Sequence, residues 1–313
     1  MRLAAIAAVL LACLAGLAVG PYRLTAGALL AGEPAALAVF WNLRLPRVAA
    51  ALLVGAALAA AGAAYQASFR NPLVSPDILG ASAGASLGAI LGIFLSLPVG
   101  GIQALAFLGG IATVALVTLI AGAVRAHEPT LVLVLAGVVV GAFAGAAVSL
   151  LKVLADPYNQ LPAITFWLLG GLSGVTLADA GAVLPAVLAG SLALLLLRWR
   201  IDALSLGDEE AAALGVPVAR LRLAVIAAAT LLTAAAVSLA GVIGWIGLIV
   251  PHAARLIAGP SAARLLPLAM LLGGGFLVAI DIAARGLART EVPLGILTAV
   301  IGGPVFLWLL ARR

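Results

Sequence analysis

What most constrains this chain is how rarely its apolar runs are interrupted. From Val48 to Phe69, and again from Leu223 to Pro251, no charged residue appears. A helix needs about 20 apolar residues to cross a ~30 Å hydrocarbon core, and windows of that kind follow one another from end to end. They are blocks of Ala, Leu, Val and Gly, without the strict alternation of a membrane β-barrel. Only 9% of the 313 residues are charged, against about 25% in soluble domains. That is too little charge to cover a water-facing surface. The chain is therefore expected to be all-α and polytopic, a single transmembrane domain over residues 1–313.

About ten spans are expected, near 3–20, 47–66, 79–96, 102–124, 130–154, 176–198, 221–243, 244–258, 264–285 and 292–311. The eighth is short and holds Pro251, so it is expected to be bent or broken. Residues 162–173 are apolar but too short to cross, and read as a re-entrant or interfacial piece packed on protein. Residues 1–20 hold one arginine, and Leu10-Leu11-Ala12-Cys13 faintly resembles a lipoprotein cleavage site. A first spanning helix is preferred, because the charged region of a leader is so weak and an even number of spans results. Cys13 is the single cysteine, so no internal disulfide can form.

The net charge of +6 sits in short loops, as orientation signals do, and does not point to nucleic acid. With the N-terminus inside, the cytoplasmic side holds Arg2, Arg70, Arg125, Arg198, Arg200, Arg220, Arg222, Arg255, Arg264, Arg312 and Arg313. The outer side holds Arg23, Arg44, Arg47, Lys152, Arg285 and Arg289. This excess places both termini in the cytoplasm. Trp41 and Trp167 then fall near outer span ends, and Trp199 and Trp308 near inner ones. Gly80, Gly84, Gly88 and Gly92 in the third span, and Gly137, Gly141 and Gly145 in the fifth, recur every four residues. Small residues so spaced let helix backbones approach closely.

The longest polar interruption is residues 199–220, which hold Asp202, Asp208, Glu209 and Glu210. A short amphipathic helix is expected there, capped by Ser205 with acids in its first turn and stopped at Gly215 and Pro217. The residues alone leave open whether it is a plain solvated helix or a contact for a partner. A nucleotide-binding P-loop needs a lysine after its last glycine. The one lysine, Lys152, lies between Leu151 and Val153, so that ATPase site is absent. His127 and His252 stand apart from other ligand-type residues, so no metal site is read. No nucleophile–base pair stands out, and no enzyme or cofactor is expected. Asp281 lies four residues before Arg285, close enough to pair on one helix face. Few other ionisable groups fall inside spans, which weighs against a proton-coupled carrier. A carrier or channel independent of ATP is kept as the alternative.

Several segments together resemble the permease subunits of ATP-binding-cassette importers for iron–siderophore complexes, haem and cobalamin. They are Arg44-Leu45-Pro46-Arg47; Gly55 to Gly62 with Tyr65-Gln66; Arg70-Asn71-Pro72-Leu73; Pro76-Asp77-Ile78-Leu79-Gly80; Leu135-Ala136-Gly137; Pro251-His252 with Arg255; and Gly303-Pro304-Val305-Phe306. The resemblance covers nearly the whole chain in order and spacing. It implies a ten-span permease of the inner membrane, working as a homodimer with two ATPase subunits on its cytoplasmic face and a periplasmic substrate-binding protein outside. It makes residues 199–220 the coupling loop, with Asp208, Glu209, Glu210, Ala213, Leu214, Gly215 and Val216 at the ATPase contact. It gives Arg44, Arg47 and Arg285 to carboxylates of the binding protein, where the planar guanidinium pairs bidentately. It places a cytoplasmic gate at Glu128-Pro129-Thr130, with Thr130 as the hydroxyl residue and Pro129 a departure from the family pattern. The implied cargo is a chelated metal. The approach Asn159-Gln160-Leu161-Pro162 differs from haem and cobalamin members and leaves an oxyanion such as molybdate open.

Overall fold

The structure, a computed structural model of the chain, describes residues 2–124, 129–288 and 290–311. Arg125, His127, Glu128, Arg289, Arg312 and Arg313 of the reading above lie outside the described residues. The described residues form helices and connecting turns with no strand. In chain order the helices are α1 (Arg2–Ala18), α2 (Ala26–Leu30), α3 (Pro34–Val39), α4 (Leu45–Ser68), α5 (Ala81–Phe94), α6 (Val99–Ala123) and α7 (Pro129–Leu154). They continue as α8 (Gln160–Leu169), α9 (Leu177–Leu204), α10 (Asp208–Ala213), α11 (Val218–Ala240), α12 (Ile246–Ala258), α13 (Ala262–Gly286) and α14 (Leu294–Ala311).

Among the described residues, six helical stretches are long and apolar enough to cross a bilayer: Pro34–Ser68, Val99–Ala123, Thr130–Leu154, Leu177–Leu204, Val218–Ala240 and Ala262–Gly286. They divide into an inner and an outer set. The most apolar windows of Pro34–Ser68 and α11 are each 78% buried, while those of α6 and α7 are each 22% buried. The outer helices turn Leu116, Leu119, Val138, Phe143 and Leu150 outward, a surface suited to hydrocarbon rather than water.

The inner position of α4 follows from its composition. Its buried run Ala57 to Ala64 is Ala and Gly apart from Leu58, so neighbours approach on every side. A Cβ on Gly55 would lie 2.6 Å from the Gly273 carbonyl carbon of α13, and one on Gly62 2.6 Å from that of Gly247 in α12. Along α5, Gly84, Gly88 and Gly92 face Gly109, Leu105 and Ile102 of α6. Gly80 is left-handed (φ 78°) at the start of α5. In α7, a Cβ on Gly137 would lie 2.9 Å from Leu79 Cα, Gly141 only approaches Gly80 at 3.9 Å, and Gly145 meets nothing within 4 Å.

Pro251 sits inside α12, which runs on through it; the chain breaks earlier, at 241–245. A proline leaves the carbonyl four residues back without its helical donor. Here that carbonyl is Gly247 O, and Gln66 Nε2 donates to it at 3.2 Å. The break instead carries Gly241 (φ 68°) and Trp245 (φ 71°). A bulky residue at positive φ is costly. Trp245 is held there with its ring edge-on to Phe306 at 6.2 Å and against Gly302 of α14. Three interruptions meet at this place. Gly171 N donates to Ala240 O at 2.8 Å, and Leu294 N donates to Gly170 O at 3.0 Å. Non-helical backbone is thereby satisfied by protein, as a membrane interior demands.

Ser205 does not cap α10. It ends α9, and Gly207 (φ 140°) precedes Asp208. No side chain caps the helix, because the reversal between α9 and α10 needs a backbone that only glycine takes readily. The stop at Gly215 is a Schellman motif: Val216 N donates to Ala211 O at 3.0 Å and Gly215 N to Ala212 O at 2.9 Å. Residues 21–46, read from sequence as an external loop, hold α2, α3 and a π-helical turn over Phe40–Arg44 that joins α3 to α4 in one rod.

Candidate functional site

Two polar clusters lie at opposite ends of α4. Arg47 stands in its first turn and Ser68 ends it. At 1.5 Å per residue they are about 32 Å apart, close to the ~30 Å thickness of a hydrocarbon core.

The first cluster gathers Arg44, Arg47 and Arg285. The π turn ends at Arg44, and Arg47 follows three residues later on the same face. Arg47 Nε donates to Asp281 Oδ1 at 3.1 Å, and Arg47 Nη2 to the same oxygen at 2.6 Å. Arg47 Nη1 donates to Glu291 Oε2 at 2.9 Å. Arg285 Nε lies 3.0 Å from Asp281 Oδ2, the contact that the four-residue spacing suggested. Arg285 also reaches backbone carbonyls, Nη1 to Val19 O at 2.9 Å and Nη2 to Gly16 O at 3.1 Å. Arg44 donates to Val19 O and Tyr22 O. Gly20 makes room for it, since a Cβ there would overlap the guanidinium.

Three arginines against two carboxylates leave one net positive charge. The arginines are held inward rather than displayed: Arg44 is 4% exposed and Arg47 7%. A cavity of about 260 Å³ opens beside them, lined by Tyr22, Arg44, Arg47, Arg285 and Glu291 among others. Glu291 was not picked out from sequence. It lies 244 residues from Arg47, and its one signal is an acid just ahead of the last span.

The second cluster is a polar cleft of about 710 Å³. It joins the loop after α4 (Arg70, Asn71), the start of α7 (Thr130) and the start of α10 (Asp208, Glu209, Glu210). Arg70 is left-handed (φ 49°) where α4 ends, with Asn71 N donating to Gln66 O at 3.1 Å. Arg222 Nη2 donates to Asp208 Oδ1 at 2.7 Å. That hydrogen bond holds the Asp208 carboxyl below the usual carboxylate range. Thr130 is half-buried at the rim; Glu128, the other polar residue of the expected gate, is outside the described residues.

Ala211 is buried under α10, while Leu206 and Leu214, flanking it, are 61% and 66% exposed. Asp202 fixes the loop to α13: Ser261 Oγ donates to Asp202 Oδ2 at 2.8 Å, and Ala262 N donates to Asp202 Oδ1. Between the clusters, Gln66 ties α4 to α12, its Oε1 accepting from Arg255 Nη2 at 2.9 Å. No group of three or more His, Cys, Asp or Glu able to hold a metal is found among the described residues.

A family model described as the FecCD transport family matches residues 6–312. The cobalamin import system permease protein BtuC of Halobacterium salinarum is 45% identical over 274 residues, covering 87% of this chain and 73% of that protein. The molybdate import system permease protein MolB of Haemophilus influenzae is 38% identical, covering 88% of this chain and 82% of that protein. A solved structure described as an inward-facing metal-chelate type ABC transporter superposes with a TM-score of 0.93 at 37% identity, covering 99% of this chain and 98% of that one.

Proposed function

The chain belongs to the FecCD transport family, and on that premise we propose how it works as the permease of an ATP-binding-cassette importer. It is a multi-pass membrane protein, and its relatives are permease subunits rather than enzymes. The cargo is a chelated metal of the iron–siderophore kind, with cobalamin, haem or molybdate as the neighbouring choices. ATP is hydrolysed by a separate partner chain, in keeping with the missing P-loop lysine.

Ten crossings are proposed. The six long stretches are joined by α1, α5, α12 and α14. α12 has 13 residues, about 20 Å at 1.5 Å per residue, and the non-helical residues 241–245 supply the rest of its crossing. The excess of Lys and Arg supports cytoplasmic termini, which puts the α10 cleft inside and the arginine cluster outside. Two copies pair in the membrane.

The observation that carries the coupling role is the polar cleft itself. It is lined by Thr130, the proposed gate, and by Asp208, Glu209 and Glu210 of the proposed coupling loop. A push on α10 reaches the gate through the walls of that cleft, α9 and α11 being the helices α10 packs on. Ala213, Leu214, Gly215 and Val216 complete the ATPase contact, and Leu214 is the apolar side chain this surface offers to a partner. Outside, Arg44, Arg47 and Arg285 receive carboxylates of the binding protein, aided by the net positive charge of their cluster. Leu214→Asp tests the coupling surface. Co-purification of the ATPase should fall at least tenfold while the permease itself stays folded. Undiminished co-purification would remove α10 from the contact.

A further inference from the structure

A groove runs between α6, α9 and α11 on the outer wall of the bundle. It measures about 610 Å³ and is lined by Ile111 and Ala115 of α6, Ala193 of α9, and Leu223, Ala227 and Leu231 of α11, among others. Its hydroxyls are already engaged. Thr118 Oγ1 donates to Ala115 O at 2.8 Å, and Thr230 Oγ1 is 3.1 Å from Tyr65 Oη. What remains is a hydrocarbon surface. From Leu223 to Leu231 the groove spans about 12 Å at 1.5 Å per residue, close to one leaflet of a ~30 Å core.

Beyond the lining, the groove-facing stripes of α9 and α11 each continue to an arginine. On α11, Arg220, Ala224, Ala227 and Leu231 fall at i, i+4, i+7 and i+11, one stripe of a 3.6-residue helix. On α9, Ala193, Leu197 and Arg200 repeat that spacing. The helices are antiparallel, with Gly190 against Ala228 and Leu232. Ten residues further toward the same end, Arg200 and Arg220 stand level. Both are exposed, and among the described residues neither has a hydrogen bond or ion pair. Of their basic neighbours, Arg222 holds Asp208, and Arg198 lies 5.6 Å from the centre of the Trp199 ring.

We propose that this groove binds one anionic phospholipid, its acyl chain against Ala115, Ala193 and Ala227 and its phosphate between Arg200 and Arg220. That the lipid belongs to the inner leaflet rests on the orientation proposed above; the site itself does not. Basic groups at a membrane surface attract anionic headgroups, and an apolar trough ending at two unpaired guanidiniums selects for charge and chain together. The groove is separate from the arginine cluster, and its two arginines flank the α10 loop, so lipid retained there would brace α9 and α11, the helices that carry α10 between them.

The test uses the purified chain in mild detergent, without transport partners, so it fails or succeeds independently of the importer reading. Native mass spectrometry and thermal unfolding are followed during titration with dioleoyl phosphatidylglycerol, dioleoyl phosphatidylcholine and dihexanoyl phosphatidylglycerol. The long-chain anionic lipid should bind and raise the unfolding temperature, and the other two should do so weakly. Arg200→Gln with Arg220→Gln should lower its affinity about fivefold for each arginine, toward that of phosphatidylcholine. Ala227→Phe should reduce binding of both long-chain lipids. Equal binding of the two long-chain headgroups would overturn the proposal. So would a preference for phosphatidylglycerol that survives the double substitution, or short-chain binding as tight as long-chain. The arginine substitutions are at exposed positions and keep the test informative if Ala227→Phe does not fold.

Discussion

Asp281→Ala is the substitution whose cost the geometry defines most closely. Asp281 is 1% exposed. It takes two hydrogen bonds from Arg47, at 3.1 and 2.6 Å, and an ion pair from Arg285 at 3.0 Å. Removing one member of a buried pair costs about 3–5 kcal/mol, mostly because a charge is left buried and unmatched. Arg47 would keep Glu291, and Arg285 would keep the carbonyls of Val19 and Gly16. The loss should therefore fall at the lower end, about 3 kcal/mol. Reversible unfolding in detergent measures it. Replacing both charges with apolar groups, Asp281→Leu with Arg47→Met, should recover at least half of that loss, as buried pairs exchanged for packed hydrophobes often do. A loss under about 1 kcal/mol, the value of an exposed pair, would refute the reasoning, as would a double variant whose losses simply add. The same geometry bears on the docking proposal. Arg47→Glu would set a third carboxylate beside Asp281 and Glu291, so lost transport in that variant would report folding. Docking is better read as binding-protein affinity, measured on the folded fraction.

Three other outcomes are expected. Gly62→Val should force α4 from α12, because its Cβ would fall 2.6 Å from the Gly247 carbonyl carbon; folded yield in membranes should drop severalfold, while Gly145→Ala, which meets nothing within 4 Å, leaves it unchanged. The depressed Asp208 pKa gives a stabilisation fully present above the unfolded value of about 3.9 and lost as pH falls through the folded value. Protection of the α10 amides, exchange being taken relative to the unstructured rate at each pH, should thus be flat from pH 7 to 5 and fall below about 4, and Asp208→Asn should abolish that acid step; because the Asp208 side chain is 43% exposed, its size stays within about 1 kcal/mol. Leu214→Asp, as described above, should release the ATPase without unfolding the permease.

The helical architecture was legible because hydrocarbon is a severe solvent. Uncharged runs such as Val48–Phe69 have few alternatives to helix, and each expected span overlaps an observed helix, six of the helical stretches among the described residues being long and apolar enough to cross a bilayer. The Asp281–Arg285 contact was legible too, because four residues on one helix is a local distance. What escaped depends on distant contacts. Glu291 meets Arg47 only after α4 and α13 pack. Pro251 carries a local signal for a break, yet Gln66 supplies the hydrogen bond that keeps α12 whole. Ser205 looked like a cap because capping residues are recognised one at a time, whereas Gly207 was needed for the reversal itself. The four-residue glycine spacing marked a small face without saying which end of it is covered. Gly137 is packed on Leu79, and Gly145 faces open space within this chain.

As proposed, this chain moves cargo only when a separate ATPase drives it. The direct measurement is uptake of labelled iron–siderophore, haem, cobalamin and molybdate into proteoliposomes holding this chain with its ATPase subunit, the cargo presented by the binding protein. Accumulation of one of these that needs ATP, the ATPase and the binding protein together, with no ATP hydrolysis by the chain alone, is the predicted result. Uptake driven by an ion gradient with the ATPase omitted would contradict the account and return the chain to the carrier alternative.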